Sequence, residues 1–420
     1  AVRGAIVSRA EELKVQLEED PSSLPFSKII SCNIGNPQSL KQKPISFVRD
    51  VVSAVSNERL LEMDGVLPDD ARARAYKYLG PSGSIGAYTE SKGLLSVRQE
   101  VAEFLERRDG FPANVDNIFL TNGASAGVTL VMSTILRDAA SGVKDGILAP
   151  IPQYPIYSAL STLLNGALVP YHLDEDNAWA CSKEAITAAM DKAEATGVTL
   201  RGVVVINPGN PTGQVLSRGD MENIITTCRE KGVAIMADEV YQENVYKEGA
   251  KFLSFRQVAF EMRAFEGKNP LQLVSFHSTS KGFLGECGAR GGYFELNGFD
   301  AEVGAVMYKM ASLGLCANTY GQVVCGTMVN PPKEGDPSFE TYTAEKGAII
   351  DSMKSRATKL SAALNTLHGV SCNAVDGAMY AFPRITLNGA VVTEAENHGM
   401  AADAYYCMEL LNETGVVVVP

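Results

Sequence analysis

The stretch Gly202-Val-Val-Val-Ile-Asn-Pro-Gly-Asn-Pro-Thr-Gly213 joins a continuous apolar run to a loop rich in proline and glycine. A short β-branched run that ends at such residues is typical of a strand buried on both faces of a parallel sheet. The two prolines fix φ, and the two glycines allow backbone angles that other residues avoid. The stretch therefore predicts a central strand followed by a rigid loop that presents Asn210.

The same pattern recurs on both sides of this stretch. Short apolar runs predict strands at residues 118–120, 147–149, 167–171, 233–237, 271–276 and 291–294, in addition to 202–206. Amphipathic segments between them predict helices at residues 127–136, 182–195, 218–231 and 253–265. Strands that alternate with helices form βα units. We therefore expect an α/β fold with a mostly parallel, seven-stranded sheet sandwiched by helices.

The two ends of the chain lack this alternation. Residues 1–60 combine a polar helix, a loop and a second helix, and residues 331–420 combine long helices with short strands. We expect an N-terminal arm and part of a smaller α+β domain in residues 1–60, a large ligand-binding domain in residues 61–330, and the rest of the smaller domain in residues 331–420. A chain of 420 residues is long enough for two such domains.

The composition disfavours several classes of partner and site. A net charge of -12 argues against nucleic acids and anionic membranes, and no apolar run approaches the roughly 20 residues of a membrane span. Eight scattered cysteines without a CxxC pair and four dispersed histidines give no metal-binding pattern. Reduced thiols are typical of cytosolic or organellar proteins, so we expect a cytoplasmic location, with the mitochondrion or peroxisome as alternatives.

Unusual loops follow the predicted strands at one edge of the sheet. Strand 118–120 is followed by Thr121-Asn-Gly-Ala-Ser125, strand 233–237 by Asp238-Glu-Val-Tyr241, and strand 271–276 by His277-Ser-Thr-Ser-Lys281. In an open parallel sheet, ligands bind beyond the carboxyl ends of the strands. Because these loops and the loop at 207–213 all fall at that edge, the sequence predicts a ligand-binding site there.

Read singly, each loop also has a plain structural interpretation. The segment 121–125 suits a phosphate at a helix N-terminus, but it is equally typical of a turn and N-cap. Asp238 ends an apolar strand, where it needs a cationic or hydrogen-bonding partner or caps a helix. Lys281 is either a solvated lysine or a nucleophile toward aldehydes. Arg290 is either a salt-bridge partner or a phosphate-binding group.

Side by side, these motifs resemble the signature of the fold-type I aminotransferases, which use pyridoxal 5′-phosphate (PLP). The resemblance rests on the loop 207–213, on Asp238-Glu-Val-Tyr241 and on Ser278-Thr-Ser-Lys281-Gly. Further segments are similar to those of the alanine aminotransferases and the related glutamate:glyoxylate aminotransferases. These segments are Asn33-Ile-Gly-Asn-Pro37, Arg107-Arg-Asp-Gly110, Gly285-Glu-Cys-Gly288, Arg290-Gly-Gly-Tyr293 and Gly377-Ala-Met-Tyr380.

The resemblance implies a role for each residue around the cofactor ring. Lys281 would hold PLP as a Schiff base and move a proton during the reaction. Asp238 would pair with the ring nitrogen and keep it protonated. Tyr241 and Asn210 would hydrogen-bond the ring oxygen, and Tyr154 would stack on the ring.

The resemblance also implies a phosphate site and a shared active site. The phosphate would be bound by Ala124, Ser125, Ser278, Ser280 and Arg290. Tyr88 would reach the phosphate of a neighbouring subunit in a homodimer. Gly35 would lie beside the substrate carboxylate, where a side chain would block access, whereas His277 is expected to be structural.

The activity implied is reversible amino transfer from L-alanine to 2-oxoglutarate, with small amino acids and 2-keto acids as partners. Glutamate:glyoxylate transfer and, from another enzyme class, a PLP lyase of the same fold are the alternatives. A non-catalytic homologue would be expected to lack Lys281 or Asp238, and both are present. Similar proteins continue beyond the segment matching Val416-Val-Val-Val-Pro420 to an arginine that binds the substrate carboxylate. We therefore expect that arginine beyond Pro420.

Overall fold

The computed structural model describes residues 4–80, 83–137 and 142–420 of the chain. The chain divides into two units. The smaller unit comprises the chain up to Asn36 together with Ala362–Cys372 and Pro383–Pro420. The larger unit comprises Pro37–Ser361 and Asn373–Phe382.

The strands and helices are numbered here in chain order. The strands are β1 Ile30–Ser31, β2 Ile118–Thr121, β3 Lys144–Ile151, β4 Ala167–His172, β5 Val198–Ile206, β6 Ala234–Asp238, β7 Leu273–Ser278, β8 Gly292–Asn297, β9 Val370–Ser371, β10 Arg384–Ile385 and β11 Val416–Val417. The helices are α1 Ala5–Glu19, α2 Ser46–Ser56, α3 Asp69–Leu79, α4 Leu95–Asp109, α5 Ala124–Ile135, α6 Ile156–Leu163, α7 Lys183–Ala195, α8 Arg218–Lys231, α9 Phe255–Glu261, α10 Ala301–Ser312, α11 Thr319–Val329, α12 Phe339–Leu364, α13 Gly389–Asn397 and α14 Ala402–Thr414.

A seven-stranded sheet lies in the described part of the larger unit, in the order β2-β8-β7-β6-β5-β3-β4. Strands β3, β4, β5, β6 and β7 pair with one another in parallel. Strand β8 is antiparallel to both β7 and β2. The predicted α/β class with a mostly parallel sheet is therefore confirmed, and each predicted strand is present. Strand β5 begins at Val198, four residues before its predicted start. The prediction began too late because Thr199 and Arg201 interrupt the apolar pattern in the first part of the strand.

The alternation of side chains along the strands divides the core of the sheet between its two faces. Val203 and Val205 of β5 pack in one apolar cluster, which includes residues of α7, α8 and α9. Val204 and Ile206 pack in another cluster, with residues of α5, α6 and α10. Successive side chains of a strand point to opposite faces. A strand covered by helices on both faces is apolar at every position, as residues 202–206 are.

Local backbone signals set the helix that follows β2. Gly123 has a φ of +79° and precedes α5, so the helix begins at Ala124, three residues before its predicted start. This start places the backbone amides of residues 124 and 125 in the first turn. Helix α8 matches its prediction, because Ser217 and Asp220 form a capping box and Gly232 ends the helix at a φ of +64°.

The smaller unit is formed by segments from both ends of the chain. Strand β1 pairs in parallel with β11, and β9 pairs antiparallel with β10. Ile6 and Leu13 of α1 share an apolar cluster with Leu411 of α14 and Val417 of β11. The apolar run at residues 416–419 forms a strand over Val416–Val417.

Residues 37–60 and 331–361, which the sequence pattern grouped with the smaller domain, cluster with the larger unit. Phe47 of α2, Tyr342 of α12 and Phe283 share an apolar cluster there, with Phe47 and Phe283 each meeting the Tyr342 ring edge-on. Within the described residues, no helix is long and apolar enough to cross a membrane.

Candidate active site

Side chains from three loops meet at the carboxyl edge of the sheet. The amide of Asn210, in the loop after β5, donates to the Tyr241 hydroxyl at 3.2 Å. The Lys281 Nζ, in the loop after β7, lies 5.8 Å from the centre of the Tyr241 ring. Asp238 is the last residue of β6, and the positive charge of Lys281 acts to lower the pKa of its carboxyl group. The structure thus brings together Asn210, Asp238, Tyr241 and Lys281 at the edge predicted to bind a ligand.

Asp238 is buried, and one of its two carboxylate oxygens has no hydrogen-bond partner among the described residues. Its Oδ2 accepts a hydrogen bond from the Tyr157 hydroxyl at 2.7 Å, whereas Oδ1 has no hydrogen-bond partner among the described residues. Burial raises the pKa of Asp238, and the Tyr157 hydrogen bond, a backbone hydrogen bond from Val240 and the Lys281 charge act against that rise. A buried carboxylate oxygen without a donor fits a cationic N–H group of a ligand.

Tyr157 is a site residue that the sequence analysis missed. It lies in the first turn of α6, three residues after Tyr154, and its side chain is buried. The sequence signalled that Asp238 needs a donor, because a carboxylate at the end of an apolar strand requires one. It did not signal which residue supplies that donor, since the two residues are 81 positions apart.

Tyr241 is the centre of a group of hydroxyls. Its own hydroxyl accepts from Asn210 and donates to the Tyr380 hydroxyl at 3.3 Å, with the two rings 6.0 Å apart and nearly perpendicular. Burial raises the pKa of Tyr241 well above its ordinary value, and the neighbouring Tyr380 and Asp238 add to the rise. Tyr241 therefore keeps its proton at neutral pH and can act as a donor.

Two further tyrosines extend this group. Burial raises the pKa of Tyr154, nearby Tyr380 and Asp238 raise it further, and Arg290 acts to lower it. Tyr154 is therefore near enough to Asp238 and Arg290, two of the predicted site residues, for their charges to shift its pKa. Tyr380 belongs to the segment Gly377-Ala-Met-Tyr380, which the sequence analysis identified as a motif without assigning a role to the tyrosine.

Arg290 and the start of α5 form a site suited to an anion. The guanidinium donates through Nη2 to the carbonyl of Asn122 at 3.1 Å and through Nη1 to the Ser280 Oγ at 3.4 Å. Gly123 has a φ of +79°, which favours glycine, and a Cβ there would lie 2.5 Å from the Arg290 Nη2, so a side chain would displace the guanidinium. Helix N-termini attract anions, and an arginine provides paired donors for a phosphate.

The other predicted phosphate residues lie at the start of α5 and at the end of β7. Ala124 and Ser125 are the first residues of α5. The Ser278 hydroxyl accepts a hydrogen bond from the backbone N–H of Ser280 at 3.1 Å. These positions place hydroxyl groups and helix amides together with the guanidinium, in the combination that phosphate binding requires.

The structure leaves two predicted site residues outside this set. Tyr88 is 77% exposed, and Gly35 belongs to the smaller unit. His277, expected to be structural, is buried between the rings of Phe104 and Tyr293. Burial and the charge of Arg108 lower the pKa of His277 to about 3, so it is neutral at physiological pH. No group of three or more histidine, cysteine or acidic side chains suited to a metal ion occurs within residues 4–80, 83–137 and 142–420.

The residues present fit pyridoxal 5′-phosphate. The unbonded Oδ1 of Asp238 matches the protonated nitrogen of a pyridine ring. The Arg290 guanidinium and the start of α5 match a phosphate dianion. Asn210 and Tyr241 supply hydrogen-bond donors for a ring oxygen, and Lys281 supplies a primary amine for an aldehyde.

Comparison with known proteins gives matches along the whole chain. A profile of the family "Aminotransferase class I and II" matches residues 50–420. The chain is 47% identical over 425 aligned residues to the "Alanine aminotransferase 2, mitochondrial" of Arabidopsis thaliana, covering 100% of this chain and 78% of that protein. It is 43% identical to the "Glutamate--glyoxylate aminotransferase 2" of the same plant, covering 100% of this chain and 85% of that protein.

A solved structure has the same fold. The alanine aminotransferase from Pyrococcus furiosus superposes with a TM-score of 0.75 at 21% identity, covering 99% of this chain and 88% of that one. At this identity the match bears on the fold alone.

The Tyr157–Asp238 hydrogen bond gives a testable prediction. It stabilises the ionised carboxylate, so its removal in Tyr157→Phe is expected to raise the pKa of Asp238 above that of the wild-type apoprotein. Carbon-13 NMR of aspartate-labelled apoprotein, with Asp238→Asn used to assign the signal, measures this pKa. Tyr171→Phe is the matched control, because the buried Tyr171 hydroxyl donates to the carbonyl of Val204 instead. An unchanged Asp238 pKa in Tyr157→Phe would contradict the assignment.

Proposed function

Since this chain belongs to the class I and II aminotransferases, we propose that it transfers the amino group of L-alanine to 2-oxoglutarate, giving pyruvate and L-glutamate. The observation that supports a functional site best is the buried Asp238, whose Oδ1 has no protein donor among the described residues and lies at the same sheet edge as Lys281. The choice of alanine as donor is supported by the 47% identity to a plant alanine aminotransferase over the whole of this chain.

The family membership confirms the resemblance inferred from the motifs. The chain is a transaminase that depends on pyridoxal 5′-phosphate, as predicted, and its substrates are amino acids and keto acids. When bound, the cofactor supplies an aldehyde carbon that takes up an amino group and a ring that withdraws electrons from the neighbouring carbon.

Each protein residue then has a specific task around that ring. Asp238 Oδ1 would hold a proton at the ring nitrogen, while Oδ2 accepts the hydrogen bond from Tyr157. Asn210 and Tyr241, which contact each other in the structure, would hydrogen-bond the ring oxygen. Tyr154 packs against the ring, where its aromatic face restricts the ring's tilt.

Lys281 and the phosphate-binding residues complete the site. The Lys281 amine would hold the cofactor at its aldehyde carbon and would carry a proton to and from the substrate α-carbon. Arg290, with Ser278, Ser280, Ser125 and the Ala124 amide, neutralises and orients the phosphate. The enzyme holds the amino group between two half-reactions, so the keto acid product of the first leaves before the second keto acid binds. We therefore expect ping-pong kinetics.

Glutamate:glyoxylate transfer is the second candidate, because a relative of that name is 43% identical over the whole of this chain. Both candidates use the same residues at the cofactor ring. They differ in the side chains of the amino donor and keto acceptor that the site accepts, and kinetic comparison separates them.

The alanine half-reaction tests the proposed function. Holoenzyme mixed with L-alanine in the absence of any keto acid is expected to lose its visible absorption band and to release one pyruvate for each site. Lys281→Ala is expected to abolish both changes, whereas Lys231→Ala, which removes a surface ion pair with Asp191, is expected to leave them intact. A preference for glutamate and glyoxylate in kcat/KM would favour the second candidate. Elimination products without loss of the band would indicate a lyase.

We propose that the enzyme is a homodimer in which Tyr88 contributes to the active site of the partner subunit. Tyr88 is a large aromatic residue that is 77% exposed in the single chain, which supports a contact outside the chain. A mixture of two inactive variants tests this directly. Subunits with Lys281→Ala and subunits with Tyr88→Ala are expected to regain activity when mixed, since one site of the mixed dimer then has both residues. An active monomer, or a mixture without activity, would contradict the proposal.

We propose a mitochondrial location, because a plant relative with 47% identity carries that location in its name. This departs from the cytoplasmic location that we expected from the cysteine content. Fractionation of the source cells, with the transaminase activity followed by immunodetection of this chain, distinguishes the two compartments.

A further inference from the structure

The segment Arg107-Arg-Asp-Gly110 has no role in the chemistry described so far. It forms the end of α4, and Gly110 ends the helix at a φ of +78°. The side chain of Arg107 is 48% exposed and donates to the carbonyl of Val329 at 2.9 Å. The side chain of Arg108 is only 14% exposed. The two neighbouring arginines therefore differ in environment, and Arg108 is the one that points into the protein.

The Arg108 guanidinium is held on several sides. Its Nε and Nη2 each donate to a carboxylate oxygen of Asp109 at 2.7 Å. Its charge lies over the rings of Phe104 and Phe252, at 5.6 and 5.5 Å from their centres. A planar guanidinium can make paired hydrogen bonds and stack on aromatic rings at the same time, which a lysine cannot do. The position of this group is therefore well defined.

The third nitrogen of the Arg108 guanidinium, Nη1, reaches the turn at residues 238–242, which contains the site residues Asp238 and Tyr241. Its Nη1 donates to Oε1 of Gln242 at 2.8 Å. The amide nitrogen of Gln242 in turn donates to the carbonyl of Glu239 at 3.2 Å. Glu239 directly follows Asp238, and Gln242 directly follows Tyr241. Arg108 thus fixes the amide that spans the turn between the two site residues.

The same turn is anchored a second time by Glu239. This buried side chain accepts a hydrogen bond from the backbone N–H of Phe255, at the start of α9, at 2.7 Å. Burial raises the pKa of Glu239 to about 8, against the opposing charge of Arg108. Burial thus favours the protonated form of Glu239, and its hydrogen bond with Phe255 ties the turn to the start of α9.

The charges behind the turn balance one another. Asp109 also accepts from Ser254 at 2.9 Å and from Arg256 at 3.3 Å. Arg256 pairs with Glu295 at 2.9 Å. The side chain of Arg256 is buried and that of Arg108 is 14% exposed, and these two arginines face the carboxylates of Asp109 and Glu295. A buried network is rigid when each of its members is paired, so this network provides a fixed reference for Gln242.

We propose that Arg108 is a positioning residue of the aminotransferase site. Through Gln242 it holds the turn 238–242, so that the Asp238 carboxylate and the Tyr241 hydroxyl keep their directions toward the bound cofactor. This inference rests on the proposed roles of Asp238 and Tyr241. Arg108 touches neither of them and acts only through the turn.

Three variants test this proposal. Gln242→Met keeps the length and burial of the side chain but removes the acceptor for Arg108. Arg108→Lys keeps a charge beside Asp109 but loses the planar group that reaches both Asp109 and Gln242. Arg107→Met is the matched control, because Arg107 lies in the same helix turn and bonds a carbonyl remote from the site.

Two readouts separate positioning from stability. The first is the dissociation constant of pyridoxal 5′-phosphate from the apoprotein, which we expect to rise about tenfold in Gln242→Met and Arg108→Lys, as for the loss of one buried hydrogen bond. The second is the visible circular dichroism per bound cofactor, which reports how the ring is held and which we expect to change in both variants. Arg107→Met is expected to match the wild type in both measurements.

The outcomes distinguish this proposal from the proposed function. If Gln242→Met binds the cofactor with wild-type affinity and circular dichroism while Asp238→Ala loses binding, the positioning role is wrong and the site stands. If Asp238→Ala also binds normally, the proposed site itself is wrong. A lower melting temperature of the apoprotein with unchanged circular dichroism of the bound cofactor would show that Arg108 only stabilises the fold, which would overturn the proposal. If Arg108→Lys fails to fold, Gln242→Met alone decides.

Discussion

A carboxylate buried at the end of a central strand is the constraint on which the site depends. Asp238 closes the fully buried strand β6, where an ionised group is costly unless donors surround it. Tyr157 supplies one donor, and Oδ1 is left without a protein partner within the described chain. That oxygen thus lacks a donor among the described residues, and in our proposal a protonated ring nitrogen would supply it. In this proposal, the contact that keeps the ring nitrogen protonated would also give the buried Asp238 carboxylate its missing hydrogen bond.

The rest of the larger unit gives this carboxylate a fixed place. Parallel strands bring the loops after β5, β6 and β7 to one edge, which places Asn210 and Lys281 around the same turn. Behind that turn, a charge-balanced network anchored by Arg108 holds Gln242 and Glu239. Reactive groups face the site, while paired charges occupy the interior behind them. This division allows a polar site to form at the edge of an apolar sheet.

The sequence predicts the elements of this arrangement better than the contacts between them. The uninterrupted apolar runs at residues 202–206 and 233–237 predict β5 and β6, because strands buried on both faces are apolar at every position. The site residues at their ends are predictable for the same reason, since polar groups such as Asp238 stand out after such a run. The hydrogen bonds of Asp238 to Tyr157 and of Gln242 to Arg108 are not predictable, because they join residues 81 and 134 positions apart. No local pattern encodes such pairs, and Tyr88 and Gly35 were assigned by resemblance alone.

The central claim is that the cofactor is bound at Lys281, next to the buried carboxylate. Reduction of the holoenzyme with borohydride, followed by proteolysis and mass spectrometry, tests it most directly, because reduction makes the bond between cofactor and lysine permanent. The account predicts that the added mass of the cofactor lies on the peptide containing Lys281 and on no other lysine of the chain. The same mass on a different lysine, or no modified peptide from a protein that shows the visible band, would contradict it.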